Sequence, residues 1–178
     1  MTKQYRRCVG MMILNLKNEI LVGRRIDHPS GYWQMPQGGI DEKEIPEQAV
    51  WREMMEEIGT NDAKLIHTSS KWLNYEIPKK ILKTLPWGER YIGQTQKWFV
   101  FQFTGKNKDI NVATKNPEFS EWKWLKNKDL INSQISLKTN SNRLYKQKPL
   151  HISSFFDLAT AYIPFFTFLS IYIYKHVT

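Results

Sequence analysis

Residues 38–60 read GGIDEKEIPEQAVWREMMEEIGT, and this stretch decides the fold. Pro46 suits the first turn of a helix, and Gly59 suits the left-handed residue that ends one. The spacing therefore predicts a helix between them. Val50, Met54 and Ile58 recur at four-residue steps and form a face that buries against a core. Glu53, Glu56 and Glu57 stand three and four residues apart, so their carboxylates share another face. Three acids crowded on one helix destabilise it unless a positive charge sits among them. A hard divalent cation with oxygen ligands supplies such a charge. Taken alone, the three acids also fit a solvated acidic face on which Arg52 pairs with Glu56.

The pattern around the acids is more specific than the acids. Gly38 is followed after five residues by Glu44. Seven residues later Arg52-Glu53 opens a run that closes with Glu56-Glu57-Ile58-Gly59. This ungapped string resembles the Nudix box of the Nudix hydrolases; Thr60 stands where an aliphatic residue is usual. Other blocks resemble one branch of that family: Tyr5 to Gly10 (YRRCVG), Trp33 to Gly39 (WQMPQGG), Lys71 to Tyr75 (KWLNY), Gly93 to Phe99 (GQTQKWF) and Asn116 to Trp124 (NPEFSEWKW). That branch holds the bacterial RNA pyrophosphohydrolases and the similar dinucleoside polyphosphate hydrolases of bacteria and plants. The resemblance runs from about Tyr5 to Leu130. It implies an α/β/α sandwich around a mixed β-sheet and an enzyme that cuts diphosphate bonds.

The resemblance also implies roles. Glu53, Glu56 and Glu57 would bind Mg²⁺ or Mn²⁺, helped by the backbone carbonyl of Gly38 and by Glu118 from a distant loop. Glu53 is the first choice as general base for the attacking water, with Glu57 its rival. Arg52 would position the carboxylates by salt bridging, and Glu44 would brace the glycine loop. Arg6 and Arg25 match arginines that contact the triphosphate or the first nucleotides, and the planar fork of arginine suits phosphate. Gln37, Gln94, Lys97 and Tyr75 are further substrate-side candidates, and Trp33 and Trp72 candidates to line the cleft. Thr95 replaces a residue that is commonly basic.

The bulk properties agree without being decisive. The chain has 178 residues, 41% hydrophobic and 24% charged, ordinary for one globular domain. Its net charge of +9 suits a polyanionic partner such as 5′-triphosphorylated RNA or a nucleotide polyphosphate, although a solvated lysine surface needs no ligand. Cys8 is the single cysteine, which excludes an internal disulfide and gives no sign of an oxidising compartment. The start, MTKQYRRCVG, lacks a secretory apolar stretch, so the cytoplasm is the expected location. The four histidines have no metal-ligand spacing.

Apolar and β-branched runs predict strands at Val9–Leu16 and Ile20–Arg25, joined as a hairpin, and at Trp33–Met35, Ala63–Ser69, Lys71–Tyr75, Lys97–Phe103 and Glu121–Leu125. Residues 78–93 read as a basic connection broken by Pro86 and Gly88, and a helix is expected to open at Asn127. Strands and helices mix without regular βαβ repetition, which is α+β. Residues 1–133 are the expected hydrolase domain, and 134–178 an atypical C-terminal segment. Leu137 there stands where the family tends to have a base-stacking Phe. Leu158 to Tyr174 runs 17 residues without a charge, near the lower limit for a bilayer span, yet Pro164 and several hydroxyls weaken that reading. Core packing, disorder, weak membrane association and an altered reading frame near 134–150 all stay open for this segment.

Overall fold

The computed structural model describes residues 4–27, 33–126 and 129. Its framework is the pairing of two long strands, β1 (Gln4–Leu14) and β7 (Tyr91–Phe103), which run parallel in register from Tyr5↔Gly93 to Leu14↔Gln102. The remaining strands, all antiparallel to their partners, are β2 (Ile20–Arg25), β3 (Trp33–Gln34), β4 (Gln37–Gly39), β5 (Ala63–Thr68), β6 (Leu73–Glu76) and β8 (Phe119–Leu125). The sheet order is β3-β2-β1-β7-β5, with β4 on β1, β6 on β7 and β8 on β2. One parallel pair among antiparallel ones makes the sheet mixed, and the fold is α+β, as the resemblance implied.

Alternation along β1 and β7 separates two faces. On one, Val9, Met11 and Ile13 of β1 join Phe99, Phe101 and Phe103 of β7 in the core. Helix α1 (Pro46–Ile58) closes this helix face with Ala49, Val50, Met54 and Ile58, all at most 1% exposed. Burying each such aliphatic or aromatic side chain contributes roughly 1.5–3 kcal/mol. The helix begins and ends where the sequence indicated. Gly59 takes the left-handed conformation at φ 71°, and the Ile58 carbonyl accepts the Asn111 N–H at 2.9 Å. Ile45 precedes the helix without a capping oxygen; the Gln48 side chain accepts its N–H at 3.4 Å instead.

Several boundaries differ from the sequence reading. β1 and β2 meet only at Leu14↔Ile20 and then part, because β4 and β7 already occupy the two edges of β1. Between them Asn18 takes φ 58°, and the Asn15 side chain accepts the Lys17 and Glu19 N–H groups. The Gly38-Gly39 turn is part of a strand, Val9 opposing Gly38 and Cys8 opposing Gly39. β7 starts six residues earlier than expected, so GQTQKW lies inside it. The basic connection contains a short helix, α2 (Lys79–Leu82). Thr60 is buried, and its hydroxyl accepts the Asp62 N–H at 3.1 Å to turn the chain. The helix expected from Asn127, the 133/134 boundary, Leu137 and the 134–178 segment lie outside the described residues. Among the described residues, no helix is long and apolar enough to cross a membrane.

Candidate active site

The acids of α1 converge on the short strand β4. Glu53 and Glu57 are 8% and 2% exposed, although carboxylates normally face water. Glu57 Oε2 accepts the Gln37 backbone N–H at 2.8 Å, and its buried Oε1 has no hydrogen-bond partner among the described residues. Burial pushes the Glu57 carboxyl well above the usual range, with Glu118 and Glu53 adding to the rise and the Gln37 N–H and Arg25 opposing it. Burial likewise moves Glu53 up to about 7, against the pull of Arg52 and with the help of Glu56 and Glu118. A carboxyl poised near neutrality beside a second buried acid is an arrangement suited to proton transfer.

Arg52 holds this set together. Its Nε and Nη2 grip Glu44 as a fork at 2.9 and 2.8 Å, and Nη2 also reaches the Gly39 carbonyl at 2.8 Å. Nη1 donates to Glu53 at 2.9 Å and Glu56 at 3.0 Å. A guanidinium has five N–H donors, and these contacts use all of them. All five are directed at Glu44, Glu53, Glu56 and the Gly39 carbonyl. Glu44 also accepts the Asp41 N–H at 3.0 Å, so it braces the glycine segment directly. The Arg52 contact holds the Glu44 carboxyl below its ordinary range.

Gly38 and Gly39 leave room for two functional side chains. A Cβ on Gly38 would overlap the Glu53 carboxylate, and one on Gly39 would overlap the Arg6 guanidinium. Arg6 approaches from the second face of the sheet, where its guanidinium carbon lies 5.2 Å from the centre of the Trp87 ring. Among the described residues, no carboxylate pairs with Arg6; Nη1 makes a weak contact to Cys8 Sγ at 3.9 Å. The buried Cys8 thiol is pushed up to about 11, chiefly by burial, and stays protonated at neutral pH.

The second face also gathers Gln37, Gln94 and Tyr75. The Tyr75 hydroxyl donates to Gln94 Oε1, and Gln96 Nε2 donates to Gln37 Oε1 at 2.7 Å. Gln96 was absent from the sequence-based candidates, although a period of two along GQTQKW selects Gln94 with Gln96. The same period corrects Lys97: it points to the helix face, away from Arg6 and Gln94, with Nζ 3.5 Å from the Ser70 carbonyl. Trp72 is on that face too. Trp87 carries no local signal, since only the fold brings residue 87 to residue 6. Arg25 sits in an ion-pair cluster with Asp27 and Glu118, so Glu118 is near Glu57 but tied to a guanidinium. Asp27 was likewise not anticipated.

An all-oxygen donor set suits a hard divalent cation. The partnerless, buried Glu57 Oε1 and the space beside Gly38 filled by the Glu53 carboxylate fit such an ion. Glu53 and Glu57 come together; Glu56, half out in solvent, turns to Arg52, and Glu118 turns to Arg25. Among the described residues, no three acids are gathered into a finished cage.

Comparison with known proteins gives the family. The NUDIX domain model matches residues 4–148. A protein of Rhodospirillum rubrum named RNA pyrophosphohydrolase is 52% identical over 121 residues, 68% of this chain and 72% of that one. A protein of the same name from Orientia tsutsugamushi is 49% identical over 142 residues, 80% and 86% of the two chains. The solved structure of the E. coli dihydroneopterin triphosphate pyrophosphohydrolase, 24% identical, superposes with a TM-score of 0.53 over 79% of this chain and 93% of that one. At that identity the likeness is one of fold.

Proposed function

This chain belongs to the Nudix family, whose hydrolases depend on divalent metal ions, and on that premise we propose that it removes pyrophosphate from the 5′-triphosphate end of RNA, leaving a 5′-monophosphate that prepares the transcript for decay. The observation that carries this reading is about 50% identity to proteins named RNA pyrophosphohydrolase over two thirds or more of the chain. Mg²⁺ is the proposed ion, with Mn²⁺ an accepted substitute, and the cytoplasm the proposed location.

Pyrophosphate bonds resist hydrolysis because their own negative charge repels a nucleophile. Glu53, Glu56, Glu57, Glu118 and the Gly38 carbonyl would hold the cation, which when bound neutralises phosphate oxygens and acidifies water. Glu53 takes the proton from the attacking water at its carboxylate. The water oxygen bonds to the α-phosphorus as the α–β anhydride bond breaks, and the bridging oxygen departs with the leaving pyrophosphate. Glu57 is the alternative base. Arg6 donates to phosphate oxygens and orients the chain end, and Gln37, Gln94 and Tyr75 line the same face. Arg25 reaches substrate when its grip on Asp27 and Glu118 is exchanged for phosphate.

The test compares Mg²⁺-dependent phosphate release from triphosphorylated RNA and from diadenosine tetraphosphate. Faster turnover of the RNA supports the proposal. Faster turnover of the dinucleotide makes the protein a dinucleoside polyphosphate hydrolase, and turnover of neither makes it a binding module.

A further inference from the structure

Arg6 and Arg7 are consecutive in β1 and therefore point to opposite faces of the sheet. Arg6 turns to the proposed substrate side. Arg7 is exposed on the helix face, where its guanidinium carbon lies 5.0 Å from the centre of the Trp72 ring. Arg7 lies in β1 and Trp72 just before β6, with β7 between those two strands. The β7 residue opposite Arg7 is Thr95, short and hydrogen-bonded to Asn74 of β6, so the arginine can lie across β7 to the tryptophan.

Cations surround this stacked pair. Lys97 is the next residue of β7 on the same face, and exposed Lys71 follows the Ser70 carbonyl that Lys97 approaches. Among the described residues, no carboxylate forms an ion pair with Arg7, Lys71 or Lys97. Tyr5 continues the face beyond Arg7, and its hydroxyl donates to Glu76 at 3.4 Å at the far end. Aromatic rings for bases beside an unpaired guanidinium and ammonium groups for phosphates are the two components of a single-strand nucleic-acid surface. Among the described residues β6, the strand after Trp72, pairs with β7 alone and so forms an edge. It carries Tyr75 on the substrate side and Asn74 on this one. Crossing that edge links Tyr75 to this face.

We propose that Arg7 and Trp72, with Lys71 and Lys97, form a second binding surface on the helix face that takes the single-stranded body of an RNA. This rests on the RNA reading above, and charge complementarity selects nucleic acid over an apolar partner.

The test measures anisotropy of a labelled 5′-hydroxyl single-stranded 20-mer RNA, which has no terminal phosphate to cleave, on the full chain over a salt series. Arg7→Gln is expected to weaken binding about tenfold and to flatten its salt dependence. Trp72→Phe, which keeps an aromatic face, should stay within about threefold of wild type. Turnover of a triphosphorylated dinucleotide, too short to reach the surface, should be unchanged in Arg7→Gln. Wild-type affinity in Arg7→Gln, or no binding by the wild type, overturns the proposal. So does loss of poly-glutamate binding in Arg7→Gln with RNA binding intact, which would assign the surface to an acidic protein. Failure of the RNA reading shows separately, as absent turnover of triphosphorylated RNA by the wild type.

Discussion

Glu53 and Arg6 occupy the two places where side chains on Gly38 and Gly39 would otherwise stand, the carboxylate from the helix face and the guanidinium from the other. Two adjacent residues without side chains thus bring a proposed base and a proposed phosphate ligand against one short strand. Gly38→Ala and Gly39→Ala should consequently fail in different ways. Gly38→Ala displaces Glu53 and is expected to lower kcat at least tenfold; Gly39→Ala displaces Arg6 and should act mainly on KM. Steady-state kinetics on triphosphorylated RNA read the two apart, and identical defects would contradict the opposed approach.

Glu53→Gln keeps the shape of the side chain and removes its ability to take a proton. Turnover is expected to fall at least about a hundredfold, within the range for loss of a general base. Thermal denaturation should show an intact fold. Near-normal turnover in this variant, with the same loss in Glu57→Gln, transfers the role to Glu57.

Arg52→Lys retains the charge but cannot reproduce five directed bonds. It leaves Glu44 and the Gly39 carbonyl short of donors and should cost about 1–3 kcal/mol of stability by urea unfolding. Activity should drop together with stability, since Glu53 loses its guide. An unchanged unfolding midpoint would show that the network is dispensable.

Stability without divalent ions should depend on pH in a definite sense. Burial raises the Glu53 carboxyl from 4.5 to about 7, so the fold favours its protonated form. That contribution is complete below about 4.5 and is lost as the pH rises through about 7. Each unit is worth about 1.4 kcal/mol, so a loss of about 1–3 kcal/mol is expected between pH 5 and 8 in chelator. The buried Glu57 acts in the same direction. Adding Mg²⁺ or Mn²⁺ should restore stability most at the alkaline end, where the acids are ionised. Melting temperatures across pH, with and without metal, check both the slope and its removal.

Trp87 holds Arg6 through its ring face. Trp87→Ala should raise KM severalfold with kcat within about twofold, and Trp87→Phe should recover most of the loss. An equal effect of both substitutions would mean that the ring only fills space.

The helix was legible because its information is local. Pro46, the four-residue apolar step and Gly59 each act within a turn of themselves, and the observed boundaries follow them. The Arg52 contacts within the helix were legible for the same reason, since Arg52 reaches Glu53 and Glu56 at one and four residues' distance. The strand edges were not, because a strand's limits depend on its partner. β7 extends back to Tyr91 since β1 and β6 are there to pair with it, and the hairpin expected between β1 and β2 yields to β4 and β7.

Sequence alone determined the acidic helix and its apolar face, both set by contacts within a short span of chain. Tertiary structure alone decided which face each remaining candidate serves: Lys97 leaves the group, Gln96 joins it, and Trp87 and Trp72 each receive an arginine. The physical reason is that alternation along a strand needs a register to become a direction, and pairing with a distant strand supplies that register.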